Sequence, residues 1–410
     1  TPWQLGRKLS ATITMALLRY QPPGWLMALT LVSKTDASMP TQQTVTAPSL
    51  ENRLITLQHN SSVLANNPLG DPSQRPVNVY LPKAYYDRRR KNQRFAVLYS
   101  LAGFTGAGPG QLNWKGFEEN LVERLERLIT SKKMAPTIVV FPDCFTAFGG
   151  TQYINSSAIG NYADYLNREL VPLIDQQFRT KAEREHRGCF GKSSGGYGSL
   201  MLAMRYPKLW GGVASHSGDA YFDFVYRSDW PGVLTLLERY AKPVQKPRGA
   251  NALVQASERG EDDGRVEHFL NTVWSRPPGG AKRITGDEMM ALMLLGMAAS
   301  YDSDPHAKNG FRLPFDLQSG QLIPERWRAW LRHDPINQIK RYGRNLKKLR
   351  GLFIDCGRQD QFHIHYGSRQ LSQALAEAGI KHRYEEFDGT HSGIDYRLDV
   401  SLPFLAQRLR

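Results

Sequence analysis

The chain has 410 residues, 41% of them hydrophobic, and a formal net charge of +15. That is ample apolar material for a large core, and more length than one average domain needs. The basic residues fall in short scattered runs, Arg88-Arg-Arg-Lys91, Lys340-Arg341 and Lys347-Lys348, with no basic helix or aromatic-interleaved stripe. This pattern describes solvated surface and argues against a nucleic-acid partner.

Residues 1–45 read as an N-terminal extension or leader. Arg7-Lys8 precedes a short apolar run that Arg19 and Pro22-Pro23 interrupt. The run is too short for a bilayer span, so no stable membrane insertion is expected, and no convincing cleavage site follows it. The first core segment, 46–218, opens with two alternating runs, Arg53 to Gln58 and Pro76 to Leu81, which predict an antiparallel pair. Near-continuous apolar runs then recur at Phe95–Tyr99, Thr137–Phe141, Gly188–Phe190, Gly212–Ser215, Gly351–Asp355 and Arg383–Phe387, the last the least apolar, as an edge strand would be. Strands buried on both faces read this way. Helical periodicity between them, at Phe117–Ile129, Asn161–Phe178, Gly196–Tyr206, Tyr366–Ala378 and Tyr396–Leu409, predicts one mainly parallel eight-stranded sheet with helices on both faces.

Residues 219–345 exceed what one crossover needs. Helical segments at Val233–Leu237, Met289–Met297 and Trp327–Trp330 alternate with loops at Glu261–Gly264, Pro277–Gly280 and Ser303–Pro305. An insertion of this size between the sixth and seventh strands predicts a helical cap over a site, with a dimerising or decorative insertion as the alternative. The core then resumes over 346–410. Three cysteines, Cys144, Cys189 and Cys356, sit at or beside hydrophobic strands. They suit reduced, buried thiols and a cytoplasmic location better than a disulfide framework.

The stretch Gly188-Cys-Phe-Gly191-Lys192-Ser193-Ser194-Gly195-Gly196 carries the chemistry. An apolar strand runs straight into Gly-x-Ser-x-Gly, and a helix-compatible run, Ser199 to Met204, follows. A serine on such a turn has a strained backbone, and glycine two residues to either side avoids a clash. The pattern predicts Ser193 as nucleophile and sets the Ser194 N–H at a helix N-terminus, where an oxyanion is stabilised. A phosphate-binding loop would need glycine at the position of His186, so the nucleotide reading fails on spacing.

A serine hydroxyl needs a base, and the base needs an orienting carboxylate. On a sheet of this kind the chain order is serine, acid, histidine, with the partners on loops after late strands. Asp360, after the strand ending at Asp355, and His391, after the last strand, meet that order. Asp355 is the rival carboxylate. His216, His363 and His365 are the rival histidines; His216 and His363 are read as substrate-binding. The second oxyanion donor is expected from Ser100–Gly106, at the Phe104 N–H, with Gly103 giving the substrate close approach. The pair His363 and His365 has no third ligand nearby, so neither metal nor cofactor is expected.

These residues resemble the esterase D-type α/β-hydrolases, the group of S-formylglutathione hydrolases, enterochelin-esterase-like and feruloyl-esterase-like enzymes and mycolyltransferases. The similarity covers residues 50 to 408 and rests on Asn67–Asp71, Val79–Pro82, Ala102–Gly106, Gly191–Gly196, Ser215–Asp219, Asp360 and Thr390-His391-Ser392. It implies the α/β-hydrolase fold and a serine carboxylic-ester hydrolase acting on a small-molecule ester. It also implies that the loop Phe148–Tyr153 lines the site, with Gln152 and Tyr153 toward substrate. The long cap departs from the formylglutathione hydrolases. An acyltransferase with the same site and an inactive hydrolase-fold binding protein are the rival functions, and the oligomeric state, a homodimer included, stays open.

Overall fold

The computed structural model describes residues 48–241, 260–277 and 283–410. The expected extension at 1–45 and residues 278–280 of the Pro277–Gly280 loop lie outside them. The two opening runs pair as expected: β1 (Leu54–Asn60) is antiparallel to β2 (Gln74–Tyr80), with Leu54 opposite Tyr80. The apolar runs form β3 (Val97–Leu101), β4 (Ile138–Pro142), β5 (Arg187–Lys192), β6 (Gly212–His216), β7 (Gly351–Gly357) and β8 (Arg383–Phe387). The sheet order is β1-β2-β4-β3-β5-β6-β7-β8. β2 runs antiparallel to both neighbours and every other pair is parallel. This is the predicted α/β-hydrolase architecture, and its parallel strands put their C-terminal ends along one rim.

Both faces of the sheet are buried, which explains runs without alternation. Val97, Tyr99 and Leu101 join the larger core with Leu166, Leu200 and Met204. Leu98, Phe190 and Phe353 face the opposite way, against α1 (Leu121–Thr130) and the C-terminal helix, whose Leu125, Leu402 and Leu405 they meet. At about 25 cal/mol per Å² of apolar surface, each such side chain contributes roughly 1.5–3 kcal/mol.

α1 begins four residues later than its periodicity predicts. Asn120 accepts from the Glu123 N–H while the Glu123 carboxylate accepts from the Asn120 N–H, a complete capping box that fixes the start. Phe117 lies outside it, exposed and left-handed at φ 64°. The helix expected over 161–178 runs as Tyr162–Asp164, a π-helical Tyr165–Leu170 and Val171–Gln177. Pro172 has no N–H and its ring crowds the carbonyl four residues back, so the hydrogen-bond ladder widens just before it.

After β5 comes α2 (Ser194–Arg205). Between β6 and β7 the described chain forms helices at Phe222–Val225, Trp230–Glu238, Arg265–Trp274, Gly286–Tyr301, Pro324–Leu331 and Pro335–Leu346. They share the main core: Phe269, Leu295, Phe315 and Trp330 belong to the same buried cluster as Tyr99 and Leu200. Aromatic edges lock them down, Trp274 against Phe148 at 5.3 Å and Tyr301 against Tyr197 at 5.9 Å. The last of these helices is the crossover to β7, tied to α2 by the Asn345 amide donating to the Met204 carbonyl at 2.7 Å. Two more helices, α3 (Ile364–Glu377) and α4 (Leu398–Arg408), complete the core. No described helix is long and apolar enough to cross a membrane.

Candidate active site

β5 delivers Ser193 to the rim in a backbone conformation that L-residues rarely adopt, φ 56° and ψ −125°. Such a residue costs about 1–3 kcal/mol and persists only where its surroundings enforce it. The glycines show how. A Cβ on Gly191 would lie 2.4 Å from the Leu101 carbonyl oxygen, and one on Gly195 would lie 2.0 Å from the same atom. The turn presses directly against the end of β3, so neither position accepts a side chain. Ser193 makes no capping hydrogen bond to α2, and its amide is held by the His216 carbonyl at 2.9 Å. The hydroxyl is left for chemistry.

β5, β6, β7 and β8 are consecutive neighbours, so the loops after them meet on the same rim. Asp360 follows β7, His391 follows β8, and both are buried. The His391 Nδ1 lies 2.7 Å from Asp360 Oδ2, across 31 residues of chain. That bond makes Nδ1 the donor and Nε2 the basic nitrogen, the tautomer a general base needs. The His391 amide donates to Gln361 Oε1 at 2.9 Å, and the Phe362 ring packs edge-on 4.8 Å from the imidazole. Burial pushes the Asp360 pKa up, but the hydrogen bond and charge of His391, with the amides of Phe362 and Ile364, outweigh it and hold the carboxyl below its ordinary value. Among the described residues, neither Ser193 Oγ nor His391 Nε2 is spent on another protein group. Such bonds are commonly long until substrate binds.

The loop after β3 runs beside Ser193. A Cβ on Gly103 would sit 3.6 Å from the Ser193 Cβ and 3.2 Å from the Lys192 carbonyl oxygen. The Thr105 amide donates to the Gly149 carbonyl at 2.8 Å and the Gly106 amide to Gly103 at 2.9 Å. Between these, the Phe104 N–H has no acceptor in the described protein. The Ser194 N–H lies in the first turn of α2, where no intrahelical acceptor exists. A hydrogen-bonded aspartate–histidine pair, a strained serine and two amides without a protein acceptor among the described residues share one rim.

Residues 72–401 match the Esterase family. The chain belongs to that family. It is 29% identical over 188 residues to the endo-1,4-beta-xylanase/feruloyl esterase of Xylanibacter ruminicola, a match covering 44% of this chain and 24% of that protein. It is 26% identical over 195 residues to the S-formylglutathione hydrolase of Saccharomyces cerevisiae, covering 44% of this chain and 62% of the other. The chain thus spans about a quarter of the first relative and under two thirds of the second. Among solved structures, a ferulic acid esterase aligns with a TM-score of 0.52 at 18% identity, over 87% of this chain and 97% of the other. That likeness concerns the fold.

Other expectations for this esterase-family chain change with the structure. Tyr153 does not face substrate: it is buried, and its hydroxyl donates to the Ala102 carbonyl at 2.6 Å, bracing the loop that carries Gly103 and Phe104. Gln152 is buried too, its amide directed at Asp219 Oδ2 (2.9 Å), the Tyr301 hydroxyl (2.8 Å) and the Tyr226 hydroxyl (3.1 Å). The signal for both was hidden in the backbone, since Gln152 and Tyr153 are left-handed at φ 51° and 56° and fold inward. His216 is likewise no free substrate ligand. Its Nδ1 is 2.6 Å from Asp355 and its Nε2 2.8 Å from the Ser401 hydroxyl. Asp355 also accepts from Arg397 Nε at 2.8 Å, which makes the rival carboxylate a structural one. His363 is exposed, and lines a cleft of about 1050 Å³ with Phe224, Arg227 and Tyr366. Sequence reasoning read Cys356 only as a buried thiol; in the structure its sulfur lies 3.6 Å from Asp360 Oδ2.

Proposed function

We propose that this chain is a serine hydrolase of carboxylic esters that works through an acyl-enzyme on Ser193. The observation that carries the reading is the strained turn at Ser193 lying on the same sheet rim as the hydrogen-bonded Asp360–His391 pair. His391 Nε2 takes the Ser193 proton as Oγ attacks the ester carbonyl. Asp360 holds the imidazole in its tautomer and stabilises the imidazolium. The Ser194 and Phe104 amides donate to the oxyanion, a contribution of about 3–4 kcal/mol for one donor. Collapse expels the alcohol, which takes the proton from Nε2. Water then gives a proton to the same nitrogen as its oxygen attacks the acyl carbonyl; collapse breaks the acyl–Oγ bond, Nε2 returns the proton to Ser193 Oγ, and the carboxylic acid leaves. Residues 219–345 act as a cap in this reading, and the cleft beside His363 receives part of the substrate.

The test is covalent labelling. A fluorophosphonate should label the wild-type chain at Ser193 and leave Ser193→Ala unlabelled. Turnover of 4-nitrophenyl acetate by that variant should fall by about five to six orders of magnitude. Labelling or turnover that survives the substitution would overturn the proposal.

A further inference from the structure

Basic runs that lie scattered along the chain are gathered together by the fold. The parallel strands start at one pole of the sheet and end at the other, where Ser193, Asp360 and His391 lie. The connections leading into β3 to β8 are residues 81–96, 131–137, 178–186, 206–211, 347–350 and 378–382. They carry sixteen lysines and arginines against three carboxylates. The connections leaving β3, β4, β6, β7 and β8 are residues 102–120, 143–161, 217–221, 358–363 and 388–397. They carry three against seven. The sheet is thus polarised along its strands, and the excess at the far pole is comparable to the chain's whole formal charge of +15.

Three shallow clefts adjoin at that pole, around the C-terminal end of α4. One of about 310 Å³ is lined by Arg94, Lys181 and Arg410, and one of about 360 Å³ by Lys133, Arg383 and Arg410. The third, of about 420 Å³, is lined by Arg350 and Arg408 and shares Gln407 with the second. No acidic residue among the described ones lines any of them. Of these cations only Arg383 has a carboxylate partner among the described residues, Glu385. Helix dipoles account for some of the cations, since α1, α3 and α4 all end here and a last turn favours positive charge. They do not account for the β2–β3 connection, whose six cations follow a strand and are all exposed. Like charges crowded on one face repel, and an opposing anionic surface turns that cost into attraction.

We propose that this pole is the docking face for an anionic lipid surface, on which the protein adsorbs without insertion and with the Ser193 rim turned to the water. A broad face of exposed cations suits a plane of anionic headgroups, because each cation near the surface adds attraction without a contact of its own. A nucleic-acid strand would draw on aromatic stacking platforms. None of the exposed large aromatics of the described chain lies in the six basic connections or the three clefts.

The test is co-sedimentation of the full chain with phosphatidylcholine vesicles, with and without about 30% phosphatidylserine. The protein should partition onto the anionic vesicles at about 0.05 M NaCl, not onto phosphatidylcholine alone, and should be released at about 0.5 M. The triple variant Lys133→Gln, Lys181→Gln, Arg350→Gln should lose at least about 10-fold in partition coefficient. A control with the same charge change in the insertion, Arg283→Gln, Arg328→Gln, Arg332→Gln, should stay within about 2-fold of wild type. Sedimentation is read without turnover, so the result is independent of the ester-hydrolase proposal. No partition onto anionic vesicles, or equal partition onto neutral ones, overturns the docking face. Equal losses in the two triple variants, or none in the first, overturn it as well. Binding to a single-stranded oligonucleotide at low salt without vesicle binding would assign the pole to nucleic acid instead. Bound protein should turn over 4-nitrophenyl acetate at its solution rate, and a rate abolished on the vesicle overturns the stated orientation.

Discussion

The thiol of Cys356 lies 3.6 Å from Asp360 Oδ2, the oxygen that also accepts from His391 Nδ1. The Cys356 side chain is fully buried and burial pushes its pKa up, so it stays protonated and can donate. It therefore withdraws a little charge from the carboxylate that accepts from His391, the general base of the proposed mechanism. Cys356→Ala should lower kcat/KM about 3- to 10-fold and move the acid limb of the pH profile upward, because a less shared carboxylate holds the imidazole proton harder. Cys356→Ser restores a donor and should return the profile toward wild type. Three pH–rate profiles check this; one unshifted limb in the alanine variant sinks it.

Two glycines near Ser193 should fail in different ways. Alanine at Gly195 would place a methyl 2.0 Å from the Leu101 carbonyl oxygen, so the end of β3 must move. A loss of several kcal/mol in urea unfolding, or no folded protein, is expected. Alanine at Gly103 meets the Lys192 carbonyl at 3.2 Å, which a small shift relieves. Its melting temperature should change little, while displacement of the Phe104 amide, the proposed oxyanion donor, should cut kcat by about 10²-fold.

The two carboxylates of the β7 segment should separate cleanly in assays. Asp360→Asn leaves the fold intact but offers His391 the wrong tautomer, and kcat should drop by about 10³–10⁴-fold. Asp355 is fully buried between Arg397 and His216. Asp355→Asn should cost about 1–3 kcal/mol of stability by weakening the bonds to His216 and Arg397, with Glu385 still pairing the Arg397 charge. Paired denaturation and turnover measurements decide it, and the reverse pattern would exchange the two roles.

Glu169 gives a stability handle in acid. Its carboxylate accepts from the Ser62 N–H and hydroxyl and the Val63 N–H, and meets His59 Nε2 at 2.9 Å. Burial alone would push its pKa up, but the Ser61 hydroxyl first, and then the bonds from Ser62, His59 and Val63, hold it at about 2. Because the folded value lies below the unfolded one, the stabilisation is present above about pH 4.3 and is lost as pH falls toward 2. Glu169→Gln should therefore destabilise the chain by about 2 kcal/mol at pH 7 and by much less at pH 2.5. Equal losses at both pH values would show that the carboxylate charge is not what matters.

Much of this was legible along the chain because it depends on neighbours in sequence. Runs such as Val97–Leu101 announce strands buried on both faces, and Gly191 and Gly195 announce a turn too tight for side chains. The Asn120–Glu123 capping box was equally readable, yet the apolar period through Phe117 masked it. Inward-folding Gln152 and Tyr153 were not readable, since their polar ends find partners far away in sequence, at Asp219 and Ala102. Whether the 219–345 insertion caps the site, dimerises or decorates was equally open, because a helical period gives a buried face but not its neighbour.

The order serine, acid, histidine and the strained turn at Ser193 were determined by sequence, because turn sterics and strand period act over a few residues. Which carboxylate meets which histidine was decided only by the folded sheet. Asp355 and Asp360 are five residues apart, yet one is committed to His216 on the α4 face and the other to His391. Side-chain direction, burial and the adjacency of β6, β7 and β8 set that division, and those are properties of packing between segments distant in the chain.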